Sequence, residues 1–247
     1  MKEMVAEFLG TALLVLMGNG VVANVLLKQT KGHDAGLIVI TTGWGLSVFT
    51  AVVCFGEISG AHLNPAVTVG LAAAGEFAGE LVVGYIMAQL AGAIFGAAVA
   101  YAFYSQHYAV TDDAATKLGT FCTAPSIRGW ASNLFSEAIG TFVLVFSVLR
   151  FSDPTLSMSE GTTTPIGLGS VGAIRVGLIV FAIGLCLGGT TGYAINPARD
   201  LGPRIAHAIL PIPNKGGSDW SYAPIPVLGP ILGGLFAAAV NSILKII

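Results

Sequence analysis

Two Asn-Pro-Ala tripeptides, Asn64-Pro65-Ala66 and Asn196-Pro197-Ala198, stand 132 residues apart. Asn is a favoured helix N-cap and Pro is favoured at the first helical position, so each tripeptide opens a helix. Both helices must be short: Val67 to Ala74 in the first copy, and Ala198 to Leu210, with charges, in the second. About ten residues at ~1.5 Å each reach ~15 Å, half of a ~30 Å hydrocarbon core. Two such half-helices entering from opposite faces would meet near the midplane with their N-termini facing. Each N-terminus carries about +0.5 charge, so the pair presents roughly +1. A cation there loses hydration and is repelled, whereas a neutral hydroxyl or a water is not. The two Asn side chains supply N–H donors at the same point, where a water that donates no hydrogen bond forward breaks a proton wire. Arg199 falls in the first turn of the second half-helix, a position unfavourable for positive charge by about 0.3–1 kcal/mol. A locally costly charge deep in a membrane points to function.

The composition requires a membrane around these residues. The chain has 247 residues, 11 basic and 13 acidic, so 10% are charged and 54% hydrophobic, with a mean hydropathy of +0.81. A soluble domain carries about 25% charge, so the composition argues against a soluble enzyme and excludes a disordered chain. The net charge of −2 argues against a nucleic-acid partner. The 33 glycines, nearly twice the usual ~7%, suit helices that pack closely in lipid. Six apolar runs have the length of a span: roughly 4–27, 35–56, 80–104, 131–150, 172–189 and 224–246. The first is too long for a signal-peptide h-region and contains Glu7. The stretches 105–130, 151–171 and 190–223 read as loops.

The chain also contains itself twice. Ala6-Glu7-Phe8-Leu9-Gly10-Thr11 matches Ser136-Glu137-Ala138-Ile139-Gly140-Thr141 at an offset of 130, and Gly92-Ala93-Ile94 resembles Gly229-Pro230-Ile231 at 137. Each half holds three spans, so the second must enter the membrane from the opposite side. The expected fold is an all-α membrane protein of six transmembrane helices plus two re-entrant half-helices. It forms a single channel domain over 1–247, with inverted repeats 1–125 and 126–247 about an axis in the membrane plane. One Asn-Pro-Ala arises by chance in roughly one chain in thirty, but two at matched repeat positions are a strong signal. Glu7 and Glu137, acids within spans one and four, read as struts that accept N–H groups from the non-helical backbone ahead of each half-helix. A proton relay is the competing reading.

The segments Ser59-Gly60-Ala61-His62-Leu63-Asn64-Pro65-Ala66-Val67-Thr68 and Gly192-Tyr193-Ala194-Ile195-Asn196-Pro197-Ala198-Arg199-Asp200 resemble the two signatures of the major intrinsic protein (aquaporin) family. The resemblance spans essentially the whole chain. It implies a pore in each protomer, a homotetramer in the cell membrane and cytoplasmic termini. Half-helix dipoles and an Arg are the recognised proton barrier of that family, and that role for them here is inherited from it. Asp200, Arg204 and Pro226 resemble markers of the glycerol-facilitator branch. By spacing, the family's constriction falls on Trp44, Gly184, Tyr193 and Arg199. Strict water channels carry a His at the Gly184 position, and here it is vacant, which leaves room for a wider solute. Trp44 and Tyr193 offer apolar walls for carbons, and Arg199 offers fixed donors for hydroxyls. Glycerol facilitators more often have Phe at Tyr193; the extra hydroxyl adds polarity and slightly narrows the opening.

The expected partners are glycerol or similar small neutral solutes, water and the lipid bilayer, with no cofactor, no metal and no enzymatic activity. The alternative is a channel mainly for water, urea, hydrogen peroxide or protonated small acids. An ion-coupled transporter would need Glu7 or Glu137 in the solute path, and an anion path is open to the dipole argument. Asp200 suits its helix N-terminus and pairs with Arg204 at i,i+4, worth a few tenths of a kcal/mol on an exposed helix. His62 lines the vestibule or bonds loop backbone, while His33, His107 and His207 read as solvated. Basic residues favour the side opposite the termini (Lys28, Lys31, Lys117, Arg128, Arg199, Arg204, Lys215) over the terminal side (Lys2, Arg150, Arg175, Lys245). The positive-inside rule alone would therefore put the termini outside.

Overall fold

Asn64 and Asn196 begin helices as their sequence context requires. In the computed structural model, which describes residues 1–157 and 163–246, each side-chain oxygen caps its own helix. Asn64 accepts from the Ala66 N–H, and Asn196 from the Ala198 and Arg199 N–H groups, at 2.9–3.2 Å. Pro65 and Pro197 take the first helical position. These short helices are α3 (Pro65–Ala73) and α8 (Pro197–Ile209). Pro203 inside α8 has no N–H to give the carbonyl four residues back.

Six longer apolar helices surround them: α1 (Lys2–Leu26), α2 (Leu37–Ser59), α4 (Val82–Val110), α6 (Trp130–Arg150), α7 (Ile174–Leu187) and α9 (Pro224–Ile246). The expected span 80–104 runs on to residue 110. Two expected loops hold structure. The stretch 105–130 carries a short helix α5 (Ala114–Gly119), capped by Asp113. The stretch 151–171 carries an antiparallel hairpin, β1 (Thr155–Ser157) with β2 (Thr163–Pro165). Residues 158–162 of that stretch lie outside the described residues.

Packing follows the repeat. In the first half α1 packs along α4, and in the second α6 packs along α9. Half-helix α3 lies against α9 of the other half, and α8 against α4. The halves also meet where α2 crosses α7. There Gly45 and Gly177, again 132 apart, face each other. A Cβ on either would stand 2.8 or 2.7 Å from the other's carbonyl oxygen, so only glycine permits this crossing.

Candidate functional site

The two half-helix starts are bonded to each other. Asn64 Nδ2 donates to the Ile195 carbonyl and Asn196 Nδ2 to the Leu63 carbonyl, both at 2.8 Å. Each N-cap Asn thus fixes its own helix with its oxygen and the opposing loop with its nitrogen. The helices therefore meet N-terminus to N-terminus, with Asn64 and Asn196 buried.

The backbone leading into each half-helix is shaped alike. Ala61 and Leu63 (φ 47° and 51°) match Tyr193 and Ile195 (φ 40° and 43°). Left-handed backbone at four non-glycine residues costs on the order of 1–3 kcal/mol each, and the buried carboxylates offset it. Glu7 accepts from Ser59 Oγ and the His62 and Leu63 N–H groups, and also from Gln89 Nε2, at 2.7–2.9 Å. Glu137 accepts from Thr191 Oγ1 and the Ala194 and Ile195 N–H groups, at 2.6–3.0 Å. The second half has no counterpart of Gln89, because the matching register, offset by 137, is Pro226, buried in the first turn of α9. Ser59, Thr191 and Gln89 escaped the sequence reading. Gln89 had a signal, being a lone amide in an apolar span.

A cavity of about 120 Å³ runs along this junction. One wall is apolar, from Leu14 of α1, Val48 and Val52 of α2, Leu144 and Val148 of α6, and Val176 and Val180 of α7. The facing line is the strained backbone at 60–63 and 193–195 with both Asn side chains. The carbonyl oxygens of Ala61, His62, Tyr193 and Ala194 accept no hydrogen bond among the described residues. All four residues line the cavity. Glu7 and Glu137 do not line it.

Trp44, Tyr193 and Arg199 all line the cavity. The Arg199 guanidinium carbon lies 4.1 Å from the centre of the Trp44 ring, and the guanidinium makes no hydrogen bond to any described residue. It therefore keeps its donors free. Gly184 does not line the cavity. A Cβ there would stand 2.6 Å from Thr41 Cγ2 and 2.8 Å from Tyr193 Cζ. The vacancy expected for a solute is filled by the Tyr193 ring, which leans into the place a side chain would take. The Tyr193 hydroxyl is buried without a partner among the described residues. Because it is carried on Cζ, at the α7 edge of the ring, it adds no polar atom to the cavity wall, contrary to expectation.

Asp200 and Arg204 are more than a helical surface pair. Both are fully buried, 2.8 Å apart. Asp200 also accepts from the N–H and hydroxyl of Thr123, and Arg204 donates to the carbonyls of Thr123, Ser218 and Asp219. The pair ties α8 to both loops on the side opposite the termini. Burial alone would push the Asp219 carboxyl up, but its bonds to Arg128 and Ser221 hold it below the usual carboxylate range. His62 lines the cavity, with Nδ1 3.1 Å from Thr68 Oγ1 and its ring against Phe77 and Tyr85. His207, expected in solvent, is fully buried with Nδ1 2.8 Å from Ser218 Oγ, because α8 is enclosed on that face by the 213–223 loop.

This geometry has known relatives. The family model described as Major intrinsic protein matches residues 1–241. The chain belongs to the major intrinsic protein family. Among members of the family, a probable glycerol uptake facilitator protein of Thermotoga maritima is 52% identical over 242 residues, covering 98% of this chain and 99% of that protein. A glycerol uptake facilitator protein of Streptococcus pneumoniae is 50% identical over 243 residues, with 98% and 99% coverage. The X-ray structure of the aquaglyceroporin from Plasmodium falciparum matches with a TM-score of 0.81 at 29% identity, covering 98% of this chain and 96% of that one.

Proposed function

We propose that this major intrinsic protein is a passive channel for glycerol and similar small neutral solutes, together with water, and that it excludes ions and protons. The observation that carries the reading is the two-sided cavity at the head-to-head helix junction. Glycerol has a carbon face and a hydroxyl face. Its carbons slide on Trp44 and the valine and leucine wall. Its hydroxyl oxygens take hydrogen bonds from Arg199, Asn64 and Asn196, and its hydroxyl hydrogens go to the free carbonyls of Ala61, His62, Tyr193 and Ala194. Replacing water's bonds one for one keeps the passage nearly level in energy, since a buried unmade bond costs about 1–3 kcal/mol. A cation meets Arg199 and two helix N-termini instead. The glycerol facilitators among the relatives support the solute assignment. The ion-coupled alternative is disfavoured because the carboxylates of Glu7 and Glu137 are bound to backbone N–H groups away from the cavity.

The reading extends to a homotetramer in the cell membrane with cytoplasmic termini, as family membership implies. The charge count no longer opposes this orientation. Lys117, Arg199 and Arg204 are buried, which leaves Lys28, Lys31, Arg128 and Lys215 against Lys2, Arg150, Arg175 and Lys245.

Stopped-flow light scattering on purified protein in liposomes, with water, glycerol and urea, tests the function. Glycerol entry should far exceed that of protein-free vesicles; water flux without glycerol flux would shift the assignment to a water channel. Two variants test the constriction. Gly184→His must displace Tyr193 toward the cavity, so glycerol flux should fall roughly tenfold or more relative to water. Equal loss of both would contradict this account. Tyr193→Phe removes a buried, unpartnered hydroxyl. It should raise thermal stability by about 1 kcal/mol and leave the glycerol-to-water ratio unchanged; a changed ratio would mean that the hydroxyl reaches the solute.

A further inference from the structure

We propose that Gly18 of α1 is a positioning residue for the constriction: its missing side chain seats the Trp44 indole and thereby sets how wide a solute can pass. The inference rests on the reading of Trp44, Tyr193 and Arg199 as the filter. A Cβ built on Gly18 would overlap three atoms of the Trp44 ring, Cε3, Cζ3 and Cη2, closer than real Cβ atoms stand to anything. Trp44 is 3% exposed, and its face is held by the Arg199 guanidinium carbon at 4.1 Å. The ring therefore abuts both α1 at Gly18 and the Arg199 guanidinium. A side chain at position 18 forces the indole off α1, which displaces a wall of the cavity that Trp44 and Arg199 both line.

Gly184 of α7 stands in a similar relation to Tyr193, since a Cβ there would stand 2.8 Å from Tyr193 Cζ. Each aromatic wall of the constriction thus has its own glycine socket. Glycine is disfavoured inside a helix relative to alanine, so local helix preference would put alanine at position 18, and the indole is what forbids it. Gly20 of α1 is the built-in comparison. A Cβ there meets only Tyr104 Cε2, at an ordinary 3.9 Å.

The test compares glycerol and water permeability per reconstituted channel by stopped-flow scattering. The proteins are the wild type, Gly18→Ala, Gly20→Ala, Trp44→Phe and the double variant Gly18→Ala/Trp44→Phe. Gly18→Ala should lower the glycerol-to-water ratio roughly tenfold or more, in the range that one methylene exerts in a fitted pocket. Gly20→Ala should keep the wild-type ratio. Phe lacks the outer ring atoms that a Cβ at position 18 would strike, so the double variant should match Trp44→Phe alone within about threefold. The proposal is overturned if Gly18→Ala keeps the wild-type ratio, if it loses both fluxes in equal proportion, or if the double variant falls well below Trp44→Phe. Should Gly18→Ala fail to fold, recovery of folded protein and glycerol passage in the double variant supports the proposal, and no recovery refutes it. A Trp44→Phe channel with the wild-type ratio would instead refute the filter reading on which the proposal stands.

Discussion

Replacing Arg199 with Val should open the channel to protons while glycerol still passes. The Arg199 guanidinium lies at the cavity, 4.1 Å from the centre of the Trp44 ring, and among the described residues no acidic side chain lines the cavity to neutralise it. At about 4 Å and an effective dielectric near 20, one unit charge repels another by ~4 kcal/mol. Removing it leaves only the two helix N-termini, roughly +1 in partial charges, as the electrostatic barrier. Proton conductance in vesicles carrying a pH-sensitive dye should rise by roughly tenfold to a hundredfold, part of the thousandfold that ~4 kcal/mol would allow. Glycerol flux should stay within a few-fold, because the Asn donors and the backbone acceptors remain and the apolar wall is intact. An unchanged proton leak would remove Arg199 from the barrier and leave it to the Asn pair alone.

The second large effect concerns stability. Truncating Arg204 to Ala strands the Asp200 carboxylate in a site where both residues are fully buried, and breaking a buried pair from one side costs about 3–5 kcal/mol. The same change leaves the carbonyls of Thr123, Ser218 and Asp219 without their donor. The variant should lose most of its folded yield or show a large fall in unfolding temperature in detergent. Adding Asp200→Asn should recover part of the loss, since the unpaired charge is gone. A loss below about 1 kcal/mol would return the pair to the weak role that exposed i,i+4 contacts play.

How much of the fold and site was legible in the residues depended on how local the cause was. Asn64-Pro65 and Asn196-Pro197 carry their own N-cap and first-turn signals, so both half-helices were readable to within a residue or two. Glu7 and Glu137 were readable as struts because the repeat put the same acid in both halves. The i,i+4 spacing of Asp200 and Arg204 was visible too, but not their burial, which comes from loops 77 and 14 residues away in sequence. Gly184 shows the same limit from the other side. Its spacing from Asn196 singles it out, yet whether an absent side chain leaves space for a solute or for a neighbouring ring is decided by where Tyr193 lies. The left-handed backbone at Ala61, Leu63, Tyr193 and Ile195 had no signal, since none of the four is a residue that favours it. Gly18 was hidden among other glycines that α1 needs for close packing. The strands 155–157 and 163–165 lie in a Ser- and Thr-rich stretch with no apolar alternation to mark them.

On the function proposed above, the helix junction conducts uncharged solutes down their own gradient, with no ion carrying them. The most direct measurement is glycerol entry into sealed proteoliposomes made with identical salt and pH on both sides and an ionophore present to hold every ion gradient at zero. Equilibration should be fast, scale with the amount of reconstituted protein and stay unchanged when the ionophore is omitted. Glycerol entry no faster than in protein-free vesicles, appearing only when a proton or sodium gradient is imposed, would contradict it.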